Sequence, residues 1–129
     1  MHPVLSKMLR LQPVVSAYIH TTLRLHPFHL CIRDVDREIS ERVIGDANIS
    51  IDGTDHLCLQ WFRINPEHQG LGYGRQFYHL IEEHIRTDLH HNTIHLMSVY
   101  DAHPFWLKMG FHQNGLRTDQ ITPMVKNIS

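Results

Sequence analysis

The most informative part of this chain is a glycine-rich segment that reads Ile64-Asn65-Pro66-Glu67-His68-Gln69-Gly70-Leu71-Gly72-Tyr73-Gly74-Arg75. It lies between an apolar run with strand-like composition and a run whose apolar residues recur at helical spacing. Glycine at every second position from 70 to 74 lets the backbone approach a ligand closely. A helix that starts here directs its unpaired N–H groups and the positive end of its dipole to the same place. The segment is therefore predicted to bind an anion such as a phosphate.

The spacing of the glycines separates this segment from two common phosphate loops. A Walker loop requires GxxxxGK followed by Ser or Thr, and no lysine follows a glycine here. A dinucleotide loop requires GxGxxG, and neither Gly70-Leu71-Gly72 nor Gly72-Tyr73-Gly74 has a third glycine at the required distance. A purely structural glycine turn is the alternative. The helix start has no Ser, Thr or Asp as a cap, which favours a ligand because the first-turn donors then lack a side-chain acceptor.

The composition indicates one globular domain over residues 1–129, with 42% hydrophobic and 19% charged residues. A formal net charge of -1 provides no basic footprint for nucleic acid and no polybasic membrane segment. Polar and charged residues and a proline interrupt the first 25 residues, so they predict neither a signal peptide nor a membrane span. We expect a cytoplasmic protein whose partner is a small molecule or another protein.

Cysteine and histidine are the residues that could indicate redox or metal chemistry. Cys31 and Cys58 lack the spacing of a zinc or redox motif and are interpreted as buried small residues. The 13 histidines predict a surface that becomes more positive in mild acid. The best metal-ligand candidates are His79, Glu83, His90 and His91. They do not form an HExxH or comparable pair, so no metal is expected, and a histidine-based metal protein is kept as an alternative.

The predicted elements are, in order, a helix, three strands, a helix, a strand, a helix and a strand. They cover residues 13–25 (helix), Phe28 to Asp34, Arg42 to Ile51 and Leu57 to Ile64 (strands), Tyr73 to His90–Asn92 (main helix), Thr93 to Tyr100 (strand), Asp101 to Met109 (short helix, stopped by Gly110) and Ile121 to Lys126 (strand). The preceding run, Val4 to Leu11, fits either a helix or a strand. The first two strands are expected to be antiparallel, with the charged segment Val35 to Glu41 between them, and the strands flanking the main helix to be parallel.

Two motifs in the chain resemble those of the GNAT N-acetyltransferase superfamily. Residues 64–74 are similar to its acetyl-CoA-binding motif, in which a strand ending V-x-P leads into R/Q-x-x-G-x-G/A. The segment Ala102-His103-Pro104-Phe105-Trp106-Leu107-Lys108-Met109-Gly110-Phe111 resembles the family's A-x-x-F-Y-x-K-x-G-F. The resemblance covers residues 28–126 and is strong over residues 57–111. It implies a single α/β domain of GNAT type, with a mixed, mostly antiparallel sheet and flanking helices, which can lack the first strand.

The same resemblance implies acetyl-CoA as the cofactor. Backbone amides from Gln69 to Gly74 would hold its pyrophosphate, with Arg75 nearby on the helix. The end of the preceding strand would pair with the amide groups of pantetheine. The residues implied to bind the cofactor are Phe62, Arg63, Ile64, Gln69, Gly70, Leu71, Gly72, Tyr73, Gly74 and Arg75.

Acetyl transfer to an amine requires a base, a donor to the carbonyl oxygen and an acid for the leaving thiolate. The strand before the loop contains no carboxylate, so Asp55 and His56 at its start are the nearest candidates for the base, and the histidine is preferred. The tyrosine of the family's F-Y pair is Trp106 here, whose indole can donate a hydrogen bond but cannot act as an acid. Tyr100 is therefore the candidate acid, with packing in the core as its alternative role. The backbone N–H of Ile64 is the candidate donor.

We expect an enzyme that moves an acetyl group from acetyl-CoA to a primary amine of a small-molecule or protein substrate. The alternative is a catalytically weak acyl-CoA-binding or protein-interaction module of the same fold. If the first strand of the sheet were missing, the exposed edge would favour a homodimer. A polyamine, an aminoglycoside, an amino acid and a protein amine all fit the sequence as acceptors.

Overall fold

We describe the fold from a computed structural model, which covers residues 9–17, 23–34, 43–53 and 56–129. These described residues form seven strands and two α-helices. They are β1 (Leu9–Ala17), β2 (Leu23–Asp34), β3 (Val43–Asp52), β4 (His56–Ile64), α1 (Tyr73–Thr87), β5 (Thr93–Val99), α2 (His103–Lys108), β6 (His112–Gln113) and β7 (Ile121–Asn127). Short 3₁₀ turns occupy Pro66–His68 and Tyr100–Ala102.

The strands form one mixed sheet in the order β1-β2-β3-β4-β5-β7-β6. The pair β4–β5 is parallel, with Cys58 opposite His95. The pairs β1–β2, β2–β3, β5–β7 and β6–β7 are antiparallel. The expected mixed, mostly antiparallel sheet with flanking helices is confirmed, and so are the antiparallel first pair and the parallel strands around the main helix.

The predicted helix over residues 13–25 is wrong, because residues 9–17 form β1 and β2 begins at Leu23. Residues 18–22 lie outside the described part of the chain. The register of β1 against β2 shifts between Pro13 and Val14, and β1 is an edge strand. Proline has no backbone donor and is tolerated at such bulges and edges. The first strand is therefore present, which removes the argument for a homodimer from a missing strand.

The other predicted elements are displaced by a few residues or fall outside the described part. The main helix ends at Thr87, earlier than its apolar periodicity predicts, and the strand before α2 ends at Val99. The two-residue strand β6 was not predicted, because two residues carry no detectable period. The charged segment 35–41 and residues 4–8 are outside the described residues. No helix of the described part is long and apolar enough to cross a membrane.

The chain divides into two compact units, each built from separate pieces of sequence. The first unit is Met1–Asn48 with Trp61–Leu80, and the second is Ile49–Gln60 with Ile81–Ser129. In the first unit the side chains of Ile44, Phe77 and Tyr78 are fully buried. The rings of Phe62 and Phe77 stack with centroids 5.0 Å apart, which holds the first half of α1 against the end of β4.

Gly45 lets β3 approach the end of β4 closely within the first unit. A Cβ atom at position 45 would overlap the carbonyl oxygen of Arg63 and lie 2.9 Å from the side chain of Ile64. The N–H of Asn65 donates to the carbonyl oxygen of Ile44 at 2.8 Å, directly after β4 ends. These contacts define where the strand stops and the glycine-rich segment begins.

The core of the second unit is formed by apolar side chains of the strands and of both helices. Its buried members include Leu57, Leu59, Ile81, Ile85, Ile94, Leu96, Trp106, Met109, Phe111 and Met124. Lys126 Nζ donates to Glu82 Oε1 at 2.6 Å and to the carbonyl oxygen of Met109 at 2.6 Å, which ties β7 to α1 and to the end of α2. Cys31 is buried as predicted, whereas Cys58 is only half-buried.

Candidate cofactor site and catalytic residues

The segment between β4 and α1 is held in one shape by its own contacts. The 3₁₀ turn Pro66–His68 follows the strand, and the N–H of His68 donates to the carbonyl oxygen of Asn65 at 2.8 Å. Gln69 Nε2 donates to the carbonyl oxygen of Ile64 at 2.9 Å, which folds the turn back onto the strand end. The ring of His68 meets the buried ring of Tyr73 edge-on at 5.8 Å. The glycines therefore follow a turn that is already anchored on both sides.

Two of the three glycines have backbone angles that favour glycine strongly. Gly70 has φ of 78° and Gly72 has φ of 87°, in the left-handed region that L side chains rarely adopt. A Cβ atom at either position would meet nothing within 4 Å, so the backbone faces open space here. Gly74 is already the second residue of α1. The segment thus exposes its main chain on the side where a ligand could approach.

The backbone donors at the start of α1 find no acceptor within the described part of the chain. The first bond at the helix start runs from the N–H of Gln76 to the carbonyl oxygen of Gly72 at 3.3 Å. Among the described residues, no acceptor is seen for the amides of residues 70–75. Gly72 has no side chain that could cap the helix, and the first turn of α1 contains no acidic residue. The exposed Arg75 adds a cation at the positive end of the dipole, an arrangement that an anion would stabilise.

The structure places all of the predicted cofactor residues in the first unit. Leu71 and Arg75 are exposed, whereas the Tyr73 ring is buried, so Tyr73 can offer only its main chain. Phe62 packs towards α1, and Arg63 points its exposed side chain away from that helix, as the alternation of a strand requires. The segment therefore offers mainly backbone groups, with Arg75 as the nearby side-chain cation.

His56 and Tyr100, the two predicted catalytic residues, belong to the second unit and are not brought together. The ring of His56 stacks on that of His95, with centroids 4.1 Å apart, near the start of the β4–β5 pair. Tyr100 begins the 3₁₀ turn that follows the last residue of β5. At about 3.3 Å per residue, the five steps from His95 to Tyr100 span roughly 16 Å. The positions of His56 and Tyr100 therefore lie towards opposite ends of β5.

The His56–His95 stack shifts the acid–base behaviour of one of its members. Partial burial and the like charge of His56 lower the pKa of His95. Burial, with a smaller effect of Asp52, raises the pKa of the Cys58 thiol, so this cysteine is mostly protonated at neutral pH. Neither group has the properties of an activated nucleophile.

We expect the stack to make stability depend on pH. The pKa of His95 is lower in the folded state, so the unfolded chain binds this proton more readily, and the free energy of unfolding decreases as the pH falls below about 6.5. Replacing His56 with Gln removes the like charge. The drop in melting temperature between pH 8 and pH 5 should shrink by on the order of 1 °C. His112→Gln, at an exposed position, serves as the control, and equal changes in both variants would contradict the prediction.

The metal-ligand candidates are not assembled into a site. Within the described residues, no group of three or more His, Cys, Asp or Glu side chains could hold a metal ion. On α1, His84 Nδ1 lies 2.8 Å from Asp88 Oδ2, and Arg86 bridges Glu82 and Glu83 at 2.8 Å each. These side chains form ordinary helix-surface pairs.

One group of side chains was not found from the sequence, and we call Asp46, Trp61 and Arg63 the Trp61 cluster. Arg63 Nε donates to Asp46 Oδ1 at 2.6 Å, and Trp61 Nε1 donates to Asp46 Oδ2 at 3.2 Å. The guanidinium carbon of Arg63 lies 5.9 Å from the centroid of the Trp61 ring. The spacing of Trp61 and Arg63 indicates a shared strand face, but nothing local indicates that Asp46 on β3 lies opposite them.

The fold defines a class of α/β domains in which a parallel strand pair flanks a glycine loop and a long helix. The sequence model of the acetyltransferase (GNAT) family matches residues 7–111, which is most of the chain. The chain therefore belongs to the GNAT acetyltransferase family, as its two motifs indicated, and the general chemistry of that family is acyl transfer. No curated protein sequence matches it significantly.

Solved structures of acetyltransferases share this fold. The spermidine N-acetyltransferase of Vibrio cholerae, solved with CoA and spermine, is 18% identical with a TM-score of 0.66; the match covers 78% of this chain and 64% of that one. Nourseothricin acetyltransferase is 20% identical with a TM-score of 0.64, over 95% of this chain and 89% of that one. Tetrahymena GCN5 is 15% identical with a TM-score of 0.64, over 81% and 71%. This chain thus spans less than two thirds of the length of the Vibrio enzyme.

Proposed function

We propose that this protein is an N-acetyltransferase that moves the acetyl group of acetyl-CoA to a primary amine. The observation that carries the proposal is the row of backbone amides from Gly70 to Arg75, for which no acceptor is seen among the described residues, together with the open space at Gly70 and Gly72. A pyrophosphate is an anion of suitable size and charge for such a row. Membership of the GNAT family and the CoA present in a solved structure of the same fold support it.

The proposed cofactor site uses the main chain more than side chains. Amides of Gly70, Leu71, Gly72, Tyr73 and Gly74 would donate to the pyrophosphate, and Arg75 would neutralise part of its charge. The Gln69 N–H donates to the Pro66 carbonyl oxygen at 3.3 Å, so Gln69 would shape the turn and not bind the anion through its amide. Backbone groups of Phe62, Arg63 and Ile64 at the end of β4 would pair with the pantetheine amides. Gln69 also fastens the turn through its bond to the Ile64 carbonyl oxygen, so replacing its side chain would loosen the whole segment.

Bound acetyl-CoA supplies a thioester that a neutral amine can attack. The N–H of Ile64 would donate to the thioester carbonyl oxygen as negative charge develops there. Tyr100, the candidate acid, would donate its phenolic proton to the leaving sulfur. His56, whose ring stacks on that of His95, stays the candidate base for the amine. The amine would lose its proton to His56 or to water.

We expect Tyr100→Phe to lower kcat by about 10–100-fold, because the variant keeps the ring but loses the acidic proton. The Kd of acetyl-CoA, measured by calorimetry, should stay within twofold of the wild-type value. A steady-state assay that follows thiol release with any accepted amine measures kcat. An unchanged kcat would show that another group or water protonates the sulfur.

A catalytically weak acyl-CoA-binding module is the second candidate function. The observation that favours it is Trp106, which stands where the family has a tyrosine and is buried against Phe105 and Phe111 with ring centroids 4.8 and 5.3 Å apart. Its ring fills the core and cannot supply an acid. Binding of acetyl-CoA without thiol release across a panel of amines would favour this module over the enzyme.

Calorimetric titration with acetyl-CoA, followed by a thiol-release assay on an amine panel, tests the proposal. Saturable binding together with amine-dependent thiol release would support it. A folded protein that binds no acetyl-CoA would contradict it and leave the glycine segment as a structural turn. A cytoplasmic location and a homodimer stay predictions, and gel filtration with light scattering would test the second.

A further inference from the structure

The Trp61 cluster lies on the face of β4 that points away from α1. Side chains alternate along a strand, so Trp61 and Arg63 share one face and Phe62 lies on the other. Phe62 stacks on Phe77 of α1, which identifies the covered face. The cluster therefore stands on the opposite face of the same strand segment, Trp61 to Arg63, within the first unit.

The three members of the cluster differ in what they present to solvent. The Asp46 side chain is 15% exposed, and both of its carboxylate oxygens are engaged, one by Arg63 and one by Trp61. The Arg63 side chain is 71% exposed, and Trp61 is 48% exposed. Asp46 thus positions the guanidinium through Nε while its own charge is covered. The surface offers a fixed cation beside an aromatic ring.

A fixed guanidinium next to an exposed indole fits a ligand that carries a carboxylate beside an apolar group. Arginine binds carboxylates through parallel hydrogen bonds, and the indole ring supplies apolar contact area. A polyamine does not fit, since it carries only cations and would meet the exposed charge of Arg63 while the carboxylate of Asp46 is occupied.

We infer that the Trp61 cluster is the acceptor subsite and that the acceptor is an amino acid with an apolar or aromatic side chain. This inference rests on the proposed acetyltransferase function, because it places the acceptor on the strand segment that would pair with pantetheine. The reaction forms the amide C–N bond and breaks the thioester C–S bond. One amine proton is lost and one is gained by the sulfur, so acetyl-CoA and a neutral amine yield the amide and free CoA thiol.

Matched pairs of acceptors test the subsite. Phenylalanine and phenethylamine differ only in the carboxylate, as do leucine and isopentylamine. In the thiol-release assay with saturating acetyl-CoA, kcat/KM for phenylalanine should exceed that for phenethylamine by about 10–100-fold. Arg63→Gln should bring this ratio close to one. The ratio cannot change through loss of acetyl-CoA, because both acceptors use the same bound donor. A wild type that prefers spermidine to phenylalanine would overturn the inference.

A second readout does not depend on turnover. N-acetylphenylalanine, the expected product, should change the fluorescence of the exposed Trp61 in a saturable way, and N-acetylphenethylamine should not. The variant Trp61→Phe keeps only the buried Trp106 and should lose the signal, and Arg63→Gln should weaken N-acetylphenylalanine binding by about 10–100-fold. Equal signals from both compounds would overturn the subsite. Absence of acetyl-CoA binding by calorimetry would instead overturn the proposed function, so the two failures are distinguishable.

We expect Asp46 to position Arg63. The test of this role compares the effect of a substitution on KM with its effect on kcat. Asp46→Asn keeps the shape of the side chain but removes the charge that holds Arg63 Nε, so KM for phenylalanine should rise by about 3–10-fold with little change in kcat. A larger effect on kcat than on KM would contradict the positioning role. If Arg63→Gln weakens binding of acetyl-CoA but not of 3′-dephospho-CoA, Arg63 contacts the 3′-phosphate, and the subsite inference is overturned.

Discussion

Gly72→Glu should abolish binding of acetyl-CoA at concentrations that saturate the wild type. Gly72 faces open space beside the amides that have no acceptor among the described residues, so a glutamate there places a carboxylate where the proposed pyrophosphate lies. Two like charges about 5 Å apart repel by about 3 kcal/mol at an effective dielectric constant near 20, which corresponds to a loss of affinity of roughly 100-fold or more. Calorimetric titration of the purified variant with acetyl-CoA measures the loss.

Gly53→Glu is the matched control for this substitution. Gly53 also has a positive φ, 63° against 87° at Gly72, and a Cβ there would also meet nothing within 4 Å. Both variants therefore carry a similar backbone strain and the same added charge, and Gly53 lies in the turn after β3 and not in the proposed site. The Gly53 variant should bind acetyl-CoA as the wild type does. Equal affinities in the two variants would show that the glycine segment is not the anion site.

Phe77→Ala should have the largest effect on stability. The Phe77 side chain is fully buried and its ring stacks on Phe62, so truncation removes both the burial and the stacking and leaves a cavity. A substitution of this kind costs about 3–5 kcal/mol of unfolding free energy. For a domain of this size the melting temperature should fall by about 10–20 °C. Calorimetry or circular dichroism during heating measures the fall.

The control for Phe77→Ala is Phe105→Ala, which removes a half-buried ring from α2. Its side chain is already in partial contact with water, so the loss of stability should be less than half of that in the Phe77 variant. If the two variants melted at the same temperature, the stack of Phe62 on Phe77 would not be a main support of the first unit.

Local sequence signals were sufficient where a backbone angle or a short period specifies the structure. Gly70 and Gly72 have the positive φ values that only glycine adopts easily, and the apolar residues of α1 recur on one helical face. The strands at residues 43–52, 56–64 and 121–127 were also predicted within a few residues. For these elements the local preference and the tertiary structure agree.

Local signals failed at the N-terminal strands. The apolar residues Val14, Val15, Tyr18 and Ile19 recur at helical spacing, and Pro13 is a favourable helix start. Pairing with β2 determines the conformation of this segment instead. It places Pro13 at a register shift, where the missing backbone N–H of proline costs little stability. A pattern within a dozen residues does not report a partner strand elsewhere in the chain.

The sequence by itself was enough to determine the glycine segment, the helix that follows it and the family, because neighbouring residues carry those properties. Only the tertiary structure could decide that His56 stacks on His95 away from Tyr100, that Gly45 lets β3 approach the end of β4, and that Asp46 meets Trp61 and Arg63. Each of these contacts joins residues far apart in the chain. Strand pairing and register bring them together, and a shift of one residue would turn every side chain to the other face.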